Sequence, residues 1–372
     1  MARLGDICTI VSGSTPKSNV PEYWDGDIKW ITPAELTENS YLISDSVRYI
    51  TPLGVKAAGL KPFPKGTVIL SSRAPIGKTA IAGCEMYCNQ GFKNLICSDR
   101  IDCRYLYWFL TCNREYLKSL GRGATFKEIS KEIVANIEIP LPSKEQQLRI
   151  VEKFEKINTL IKQRNEQLEK LDELVKSRFV ELFDGKYGMV KLGDVIKTTS
   201  GGTPSKAHPE YYENGTIPWL TSGEVNAGVI TSVRNFITEE GLKKSPAKMV
   251  PANSVVIAMY GATAGVTGII RLDTATNQAV CSLLPNERFI PEYLYYAVAS
   301  KKEWMISQCQ GGGQPNISQG IIKNLELIDA PIEKQEQFSV FVKQTDKSKL
   351  AIQESLAELE TLKKALMQKY FG

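Results

Sequence analysis

Side chains that could perform acid–base or nucleophilic chemistry are sparse in this 372-residue chain, and no familiar catalytic spacing joins them. The single histidine is His208, beside Pro209. The sequence contains no Gly-x-Ser-x-Gly elbow, phosphate loop, dinucleotide fingerprint or His-Glu-x-x-His motif. It also lacks the Asn/Asp-Pro-Pro-aromatic tetrapeptide that a DNA amino-methyltransferase would need. We therefore expect a chain that binds and does not catalyse, with no catalytic, cofactor-binding or metal-binding residues of its own.

The cysteines do not form a recognisable metal site. Cys84, Cys88, Cys97 and Cys103 lie close together in the sequence, but their spacing matches no zinc motif, and the second half of the chain has no cysteine at the corresponding positions. We expect the eight cysteines to be reduced, buried thiols. The opening segment lacks a signal-peptide layout, and no apolar run is long enough to span a bilayer. The sequence therefore predicts a cytoplasmic protein.

Composition is ordinary for a globular protein and leaves the binding partner open. Hydrophobic residues make up 42% of the chain, charged residues 23%, and the formal net charge is +5. This charge is compatible with nucleic-acid binding but falls below a strongly basic signature. A nucleic-acid-binding face would therefore have to come from local clusters of Lys and Arg.

The whole sequence pattern occurs twice. The recurring motifs are Leu4-Gly5-Asp6 with Leu192-Gly193-Asp194, Ser12-Gly13-Ser14-Thr15-Pro16 with Ser200-Gly201-Gly202-Thr203-Pro204, Asn89-Gln90 with Asn277-Gln278, and Tyr105-Leu106-Tyr107 with Tyr293-Leu294-Tyr295. The period is a whole domain long, which excludes a short-period solenoid. The sequence therefore predicts two similar units in tandem, and a function that involves two similar but distinguishable targets.

Each copy begins with a globular stretch of mixed α and β character. Residues 66–71 and 253–258 read as strands, and residues 102–120 and 291–309 read as helices. We interpret Trp30 and Trp219 as core strand residues. A structural turn is the favoured role for the two Asn-Gln pairs, because their identity in both copies argues against reading two different targets.

Each copy ends with a long helical stretch that carries an apolar stripe. Residues 144–183 contain neither Gly nor Pro, and the apolar steps alternate between three and four, as in a coiled coil. The residues predicted to pair the helices are Ile150, Phe154, Ile157, Ile161, Leu168, Leu171 and Val175 in the first copy, and Phe338, Phe341, Ile352, Leu359, Leu362 and Leu366 in the second. A helix of about 40 residues is about 60 Å long and is not stable alone. We expect the two helices to pair antiparallel; the alternative is that each stripe packs along its own globular domain.

These patterns predict an α+β fold in which two pseudo-two-fold-related, mixed α/β domains are separated by a long antiparallel two-helix coiled coil. The expected divisions are residues 1–143 for the first domain, 144–184 for the first helix, 185–332 for the second domain and 333–372 for the second helix.

The combined motifs resemble the specificity subunit of type I restriction–modification systems. Both copies open with Leu-Gly-Asp and Ser-Gly-x-Thr-Pro, and both contain an Ile-x-Trp-aliphatic-Thr stretch, at 28–32 and 217–221. The run at 137–147 ends in Pro-Leu-Pro-Ser-Lys-Glu-Gln-Gln, as is typical of the family, and the run at 325–337 keeps its Pro and Gln framework. The resemblance covers essentially the whole chain.

The resemblance implies a DNA-recognition role. Each globular unit would be a target recognition domain that reads one half of a bipartite site in double-stranded DNA, and the helices would set the spacer between the halves. Two modification subunits would methylate adenine with S-adenosylmethionine, and restriction subunits that use ATP and Mg would cleave unmethylated DNA. This chain would hold none of these cofactors.

Two loops in each copy are the candidates for DNA contact, because hydrogen-bonding side chains read base edges while Lys and Arg bind phosphates. The first loop spans Ser72–Lys78 or Met259–Gly265, and the second spans Gly121–Lys127 or Gly311–Asn316. The candidate residues are Arg73, Lys78, Arg122, Thr125, Lys127, Tyr260, Thr263, Gln314 and Asn316. The alternative is that these are ordinary surface loops.

Two other functions remain open from the sequence. One is a non-catalytic coiled-coil scaffold without a DNA role, and the other is a spare recognition cassette without active partners. The sequence does not specify the DNA target or the spacer length.

Overall fold

The computed structural model describes residues 1–73, 75–123, 127–309 and 315–372. The chain divides into two compact units. Unit 1 contains Met1–Asn165 and Gln353–Gly372, and unit 2 contains Glu166–Ile352. The division falls within both long helices, so each unit has a globular part and a segment of each helix.

Unit 1 is a mixed α/β structure. Its strands are β1 (Ala2–Arg3), β2 (Cys8–Ser12), β3 (Trp24–Ile31), β4 (Leu42–Ile43), β5 (Arg48–Ile50), β6 (Val68–Leu70), β7 (Thr79–Ala82), β8 (Tyr87–Cys88), β9 (Lys93–Cys97) and β10 (Glu138–Ile139). Its helices are α1 (Leu4–Ile7), α2 (Pro52–Ala57), α3 (Cys103–Cys112), α4 (Arg114–Ser119) and α5 (Lys131–Ala135), with 3-10 turns at Pro21–Tyr23 and Pro33–Glu35. The long helix α6 (Lys144–Phe183) follows.

The main sheet of unit 1 has the strand order β2-β9-β6-β7-β4 among the described residues. A smaller sheet has the order β5-β3-β8, and β1 pairs with β10. One face of the main sheet packs on α3, where Val68, Leu70 and Leu106 are fully buried in one core cluster. The β-branched and aliphatic strands found in the sequence thus supply the core.

Unit 2 has corresponding elements in the same order. Its strands are β11 (Met189–Lys191), β12 (Thr198–Ser200), β13 (Ile217–Leu220), β14 (Val229–Ile230), β15 (Phe236–Ile237), β16 (Lys248–Val250), β17 (Val255–Ala258), β18 (Thr267–Ile270), β19 (Thr274–Thr276), β20 (Val280–Leu283) and β21 (Glu326–Ile328). Its helices are α7 (Leu192–Val195), α8 (Glu239–Lys243), α9 (Pro291–Ala299), α10 (Lys302–Ser307), α11 (Gln319–Lys323) and α12 (Ile332–Phe371), with 3-10 turns at Pro209–Tyr211, Ser222–Ala227 and Gly261–Thr263.

The sheets of unit 2 repeat the topology of unit 1. The order β12-β20-β17-β18-β14 corresponds strand by strand to β2-β9-β6-β7-β4, and the order β15-β13-β19-β16 corresponds to β5-β3-β8 with one added edge strand, within the residues that the structure describes. The parallel pairing of β4 with β7 also recurs, as β14 with β18. The sequence repeat is therefore a repeat of fold.

The single helix predicted after the sheet is broken into two in each unit, as α3 and α4 in unit 1 and as α9 and α10 in unit 2. At the first break, Asn113 Nδ2 donates a hydrogen bond to the carbonyl of Phe109 at 2.9 Å. At the second, Ser300 Oγ donates to the carbonyl of Ala297 at 2.8 Å. A short polar side chain that bonds the carbonyl of the preceding turn competes with the helical ladder, and this accounts for the breaks.

Within each unit, the segments of α6 and α12 run antiparallel. In unit 1, Phe154 stacks on Phe371 with ring centres 5.7 Å apart, and further along α6 Asn158 accepts a hydrogen bond from Lys363 at 2.9 Å. The contacts therefore move to higher residue numbers on α6 and to lower residue numbers on α12, as antiparallel helices require. No helix of the described residues is both long and apolar enough to cross a membrane.

Candidate nucleic-acid interface

The Ser-Gly-x-Thr-Pro motif forms a tight turn against the Asn-Gln motif in both units. A Cβ atom added to Gly13 would lie 2.0 Å from the carbonyl oxygen of Cys88, and one added to Gly201 would lie 1.8 Å from that of Thr276. The residue after each glycine donates its N–H to the same carbonyl, at 3.1 Å and 3.0 Å. Only glycine allows this close approach, so the motif is a structural frame.

The Asn-Gln pairs complete this frame. Asn89 Oδ1 accepts the N–H of Gly91 at 2.9 Å, and Asn277 Oδ1 accepts that of Ala279 at 3.1 Å. The neighbouring glutamines accept hydrogen bonds from the threonines of the Ser-Gly-x-Thr-Pro motif. The Thr15 hydroxyl donates to Gln90 Oε1, and the Thr203 hydroxyl donates to Gln278 Oε1. The expected structural role of the asparagines is confirmed.

The two tryptophans are core strand residues, as predicted. Trp30 lies on β3 and Trp219 on β13, and both are buried. Their indole N–H groups donate to the turn carbonyls of Ser14 at 3.0 Å and Gly202 at 3.2 Å. The repeated motifs therefore hold the strand ends in the same arrangement in both units.

The structure brings the two candidate loops of unit 1 together. The N–H of Ile129 donates to the carbonyl of Ser72 at 2.9 Å, which places Arg73 beside Glu128. The backbone of Glu128 is in turn bonded in both directions to Arg122, at 2.9 and 3.0 Å. The left-handed backbone at Gly77, with φ of +90°, returns the first loop to β7. Two segments that are distant in sequence thus form one surface.

A charged triad lies at this junction. Arg73 Nε donates to Glu128 Oε2 at 2.9 Å, and Lys93 Nζ donates to Glu128 Oε1 at 3.1 Å. The exposed fractions of the three side chains are 46% for Arg73, 33% for Glu128 and 9% for Lys93. Burial acts to raise the pKa of Glu128, but the hydrogen bonds from Lys93 and Arg73 outweigh it and lower the pKa below its ordinary value. The carboxylate is therefore ionised at neutral pH and fixes the guanidinium at the surface.

The same loops meet in unit 2 with different chemistry. The N–H of Ile317 donates to the carbonyl of Met259 at 2.8 Å, and Tyr260 pairs with Asn316 in an isolated antiparallel bridge. Thr263 lies in the following turn, and its hydroxyl is 3.4 Å from the carbonyl of Tyr260. Tyr260 is 40% exposed, and Asn316 is also exposed.

The remaining candidate residues fall into three groups. Arg122 and Lys127 are exposed. Lys78 is half-buried, and its ammonium donates a hydrogen bond to the carbonyl of Leu36, so it is engaged within unit 1. Thr125 and Gln314 lie outside the described residues. The contact of any of these side chains with DNA stays a prediction.

Sequence reasoning missed Lys93 and Glu128. A signal for Lys93 was available, because it is the one charged residue of strand β9, at the position where the second copy has Cys281. Glu128 immediately precedes Ile129, one of the anchors of the repeat, and its partner in the second copy is the neutral Asn316. A comparison of the two copies position by position would have found both.

The helix segments pack on each other and on the globular helix of their own unit. In unit 1, Phe154 stacks on both Trp108 of α3 and Phe371 of α12, with ring centres 5.0 and 5.7 Å apart. In unit 2, Phe338 contacts Phe179 at 5.4 Å and Phe183 at 5.7 Å, and both of these contact Tyr293 of α9. Each helix segment therefore packs both on the other long helix and on the globular part of its own unit, the two arrangements that the sequence analysis considered as alternatives.

The residues predicted to pair the helices differ in their burial. Those that are buried are Ile150, Phe154, Ile157, Val175 and Phe338, and those that are half-buried are Ile161, Leu168, Leu171, Phe341, Ile352, Leu359 and Leu366. Leu362 is instead 48% exposed, and Lys363 takes the inward position. The ammonium of Lys363 bonds Asn158 and lies 5.4 Å from the centre of the Trp108 ring. The inward positions of α12 here are Leu359, Lys363 and Leu366, so the steps are four and then three. The long apolar stem of the lysine side chain allows Lys363 to take part in the apolar stripe.

The cysteines are all free thiols, and only some are buried. Cys8, Cys88 and Cys281 are buried, while the other five are half-buried because they lie in a turn or near the ends of strands and helices. The expectation that all of them are buried is therefore wrong. Among the described residues, no group of three or more His, Cys, Asp and Glu side chains could hold a metal ion.

The comparisons with known proteins identify the family. A family model described as the type I restriction modification DNA specificity domain matches residues 1–170 and 185–362. The type I restriction enzyme MjaIX specificity subunit of Methanocaldococcus jannaschii is 31% identical to this chain over 396 residues, covering 99% of this chain and 91% of that protein. The chain belongs to the family of type I restriction–modification specificity subunits, and it is a DNA-recognition protein.

Solved structures support the fold. A chain from a structure on complex assembly and conformational transition of the type I restriction–modification system aligns with a TM-score of 0.66 at 20% identity, covering 100% of this chain and 96% of that chain. The specificity subunit from M. genitalium aligns with a TM-score of 0.58 at 15% identity, covering 100% of this chain and 95% of that chain. The predicted fold class of two mixed α/β domains with long helices is confirmed.

Proposed function

We propose that each globular domain reads one half of a bipartite target in double-stranded DNA and that the long helices set the spacer between the halves. We assign residues 1–143 and 185–332 to the two recognition domains and residues 144–184 and 333–372 to the spacer. The observation that carries this proposal is that one frame occurs twice, with different side chains on the loops that it presents. Two readers built on one frame suit an asymmetric target.

The chemistry of the loops supports binding to DNA. Arg73, Arg122 and Lys127 place positive charge on the surface where the two loops of unit 1 meet. Positive side chains on phosphates supply affinity that does not depend on sequence, while side chains on the groove edges supply specificity. The described residues at the ends of these loops are held by backbone hydrogen bonds, from Ile129 to Ser72 and from Ile317 to Met259, and such support favours accurate recognition.

We further propose that this chain is the non-catalytic member of a cytoplasmic complex. Two modification subunits would bring S-adenosylmethionine and methylate adenine, and restriction subunits would bring ATP and Mg and cleave unmethylated DNA. The chain would direct both activities to its target and hold no cofactor. The exposed faces of the helices and the flanking domain surfaces are where we expect the modification subunits to bind.

The decisive experiment is to produce the chain with its modification subunits and map methylated adenine across a genome. We expect a single motif made of two unlike half-sites with a fixed spacer. Omission of this chain should abolish sequence-specific methylation. A coiled-coil scaffold without a DNA role would give no methylation motif, and a spare cassette would give a motif only when partners from another system are supplied.

A further inference from the structure

We infer that three matched positions in each unit form the centre that determines its half-site: Arg73, Lys93 and Glu128 in unit 1, and Tyr260, Cys281 and Asn316 in unit 2. The inference rests on the proposed function and assigns a base preference to each unit. The charged centre of unit 1 reads guanine in a G·C pair, and the neutral centre of unit 2 reads adenine in an A·T pair.

The backbone establishes that two of these positions correspond. The carbonyl of Ser72 accepts the N–H of Ile129, and the carbonyl of Met259 accepts the N–H of Ile317. Arg73, which follows Ser72, pairs with Glu128, which precedes Ile129, in an isolated antiparallel bridge. Tyr260 and Asn316, the neighbours of Met259 and Ile317, form the same bridge in unit 2. The two pairs therefore occupy equivalent places at the junction of the loops.

The sheet register establishes the third correspondence. Ser12 of β2 lies opposite Lys93 of β9, and Ser200 of β12 lies opposite Cys281 of β20. The two serines open the same repeated motif, so Lys93 and Cys281 stand at the same point of equivalent strands. All three positions thus change character together, from charged in unit 1 to neutral in unit 2, inside a frame that does not change.

In each unit, the charge state of the strand residue matches that of the loop pair. Lys93 reaches Glu128 from beneath and also donates to Ser72 Oγ at 3.3 Å, so a nearly buried ammonium holds the carboxylate in place. Cys281 is fully buried, and burial raises the pKa of its thiol to about 12, which leaves it neutral. A neutral thiol at this strand position suits a unit whose loop pair, Tyr260 and Asn316, is uncharged, whereas an unpaired ammonium at that depth would not.

The exposed groups determine what each centre recognises. The guanidinium of Arg73 offers only hydrogen-bond donors, and one carboxylate oxygen already orients it, so the free donors match the O6 and N7 acceptors of guanine. The amide of Asn316 offers one donor and one acceptor direction, which matches N6 and N7 of adenine. Arg73 is the reading residue of unit 1, and Glu128 and Lys93 are positioning residues.

The test uses the full complex with its modification subunits. Methylome mapping first defines the two half-sites, and binding is then measured on duplexes changed at one base pair at a time. Arg73→Ala should reduce the preference for one G·C pair in one half-site by roughly tenfold or more. The other half-site should keep its full preference. Lys244→Ala is the matched control, because this cation also pairs with a carboxylate, that of Glu240 at 2.7 Å, but at the end of α8.

The positioning residues need a separate readout. Glu128→Gln should weaken the same base preference less than Arg73→Ala does, because an amide oxygen can still accept one hydrogen bond from Arg73, and the unfolding temperature of unit 1 should change little. Exchanging all three residues for those of unit 2, as Arg73→Tyr with Lys93→Cys and Glu128→Asn, should change the base read in that half-site from guanine to adenine. If the triple variant does not fold, Arg73→Ala and Glu128→Gln still test whether this centre reads the base pair.

The possible failures are distinguishable. If Arg73→Ala weakens binding equally on all duplexes and lowers its salt dependence, Arg73 contacts phosphate and the inference is wrong while the proposed function stands. Unchanged binding on every duplex would also overturn the inference. If the parent complex shows no bipartite motif at all, the proposed function itself fails.

Discussion

Gln147 is fully buried in the first turn of α6, and its amide joins the long helix to the globular part of unit 1. Its Oε1 accepts the N–H of Asp102 at 2.9 Å, and its Nε2 donates to the carbonyls of Arg100 at 3.1 Å and Pro142 at 2.9 Å. Gln335 makes the same three kinds of bond in unit 2, to Ile290, Arg288 and Ala330. The Pro and Gln framework shared by the two runs thus has a physical explanation, because one glutamine side chain satisfies three backbone groups in each unit.

We expect Gln147→Leu to lower the free energy of unfolding of unit 1 by about 3 kcal/mol, because one buried N–H and two buried carbonyls lose their partners. Gln146→Leu is the control: this neighbouring side chain is exposed, and its replacement should change stability by no more than about 0.5 kcal/mol. Thermal unfolding followed by circular dichroism measures both variants. Equal losses in the two would show that the buried amide has no special role.

At this scale, the sequence predicts which residues form a frame but not the bonds that they make. The Gln at the end of the Pro-rich run was recognised as part of a pattern, yet its partners Arg100 and Asp102 lie in a different segment. The contact between Lys93 and Glu128 could not be predicted for the same reason, because the two residues meet only after β9 and the second loop are brought together. Contacts between segments distant in sequence depend on the fold, and local spacing does not encode them.

At the scale of elements, the long helices follow the apolar periodicity closely, while the inward face of α12 departs from it. Val342 is buried where Phe341 is only half-buried, and Lys363 faces inward where Leu362 does not. A strict heptad drifts around an unsupercoiled helix by about 20° for each repeat, so a seam drawn by counting threes and fours shifts by a residue over 40 positions. The globular helices α3 and α9 also select the inward positions, because their aromatic residues pack at the ends of the stripe.

We expect Phe154→Ala to lower the free energy of unfolding of unit 1 by about 3–5 kcal/mol, because the ring fills a fully buried space between Trp108 and Phe371. Leu362→Ala should cost less than about 1 kcal/mol, although the periodicity alone would place both residues in the seam. Chemical denaturation monitored by tryptophan fluorescence compares them. A loss at Leu362 as large as that at Phe154 would mean that Leu362 is buried in solution.

At the scale of the whole molecule, duplication explains why so much of the fold could be predicted. Motifs that recur in both copies, such as the Gly13 turn with its counterpart at Gly201, are those that the backbone requires, as the close approaches show. Positions that differ, such as Arg73 and Tyr260, are free of that requirement and available for recognition. One sequence with two copies therefore contains its own internal comparison, although the bases that each copy reads do not follow from the frame.

The proposed role of the helices as a spacer leads to the last prediction. Insertion of seven residues into both helices, after Asn165 in α6 and after Ile352 in α12, keeps the apolar stripe in phase and adds about 10 Å to each helix. This length is the rise of about three base pairs, so methylome mapping should show a longer spacer between unchanged half-sites. The same insertion in α6 alone is the control, and it should abolish methylation because the two stripes no longer match. An unchanged spacer in the double insertion would refute the spacer role and leave the half-site assignments intact.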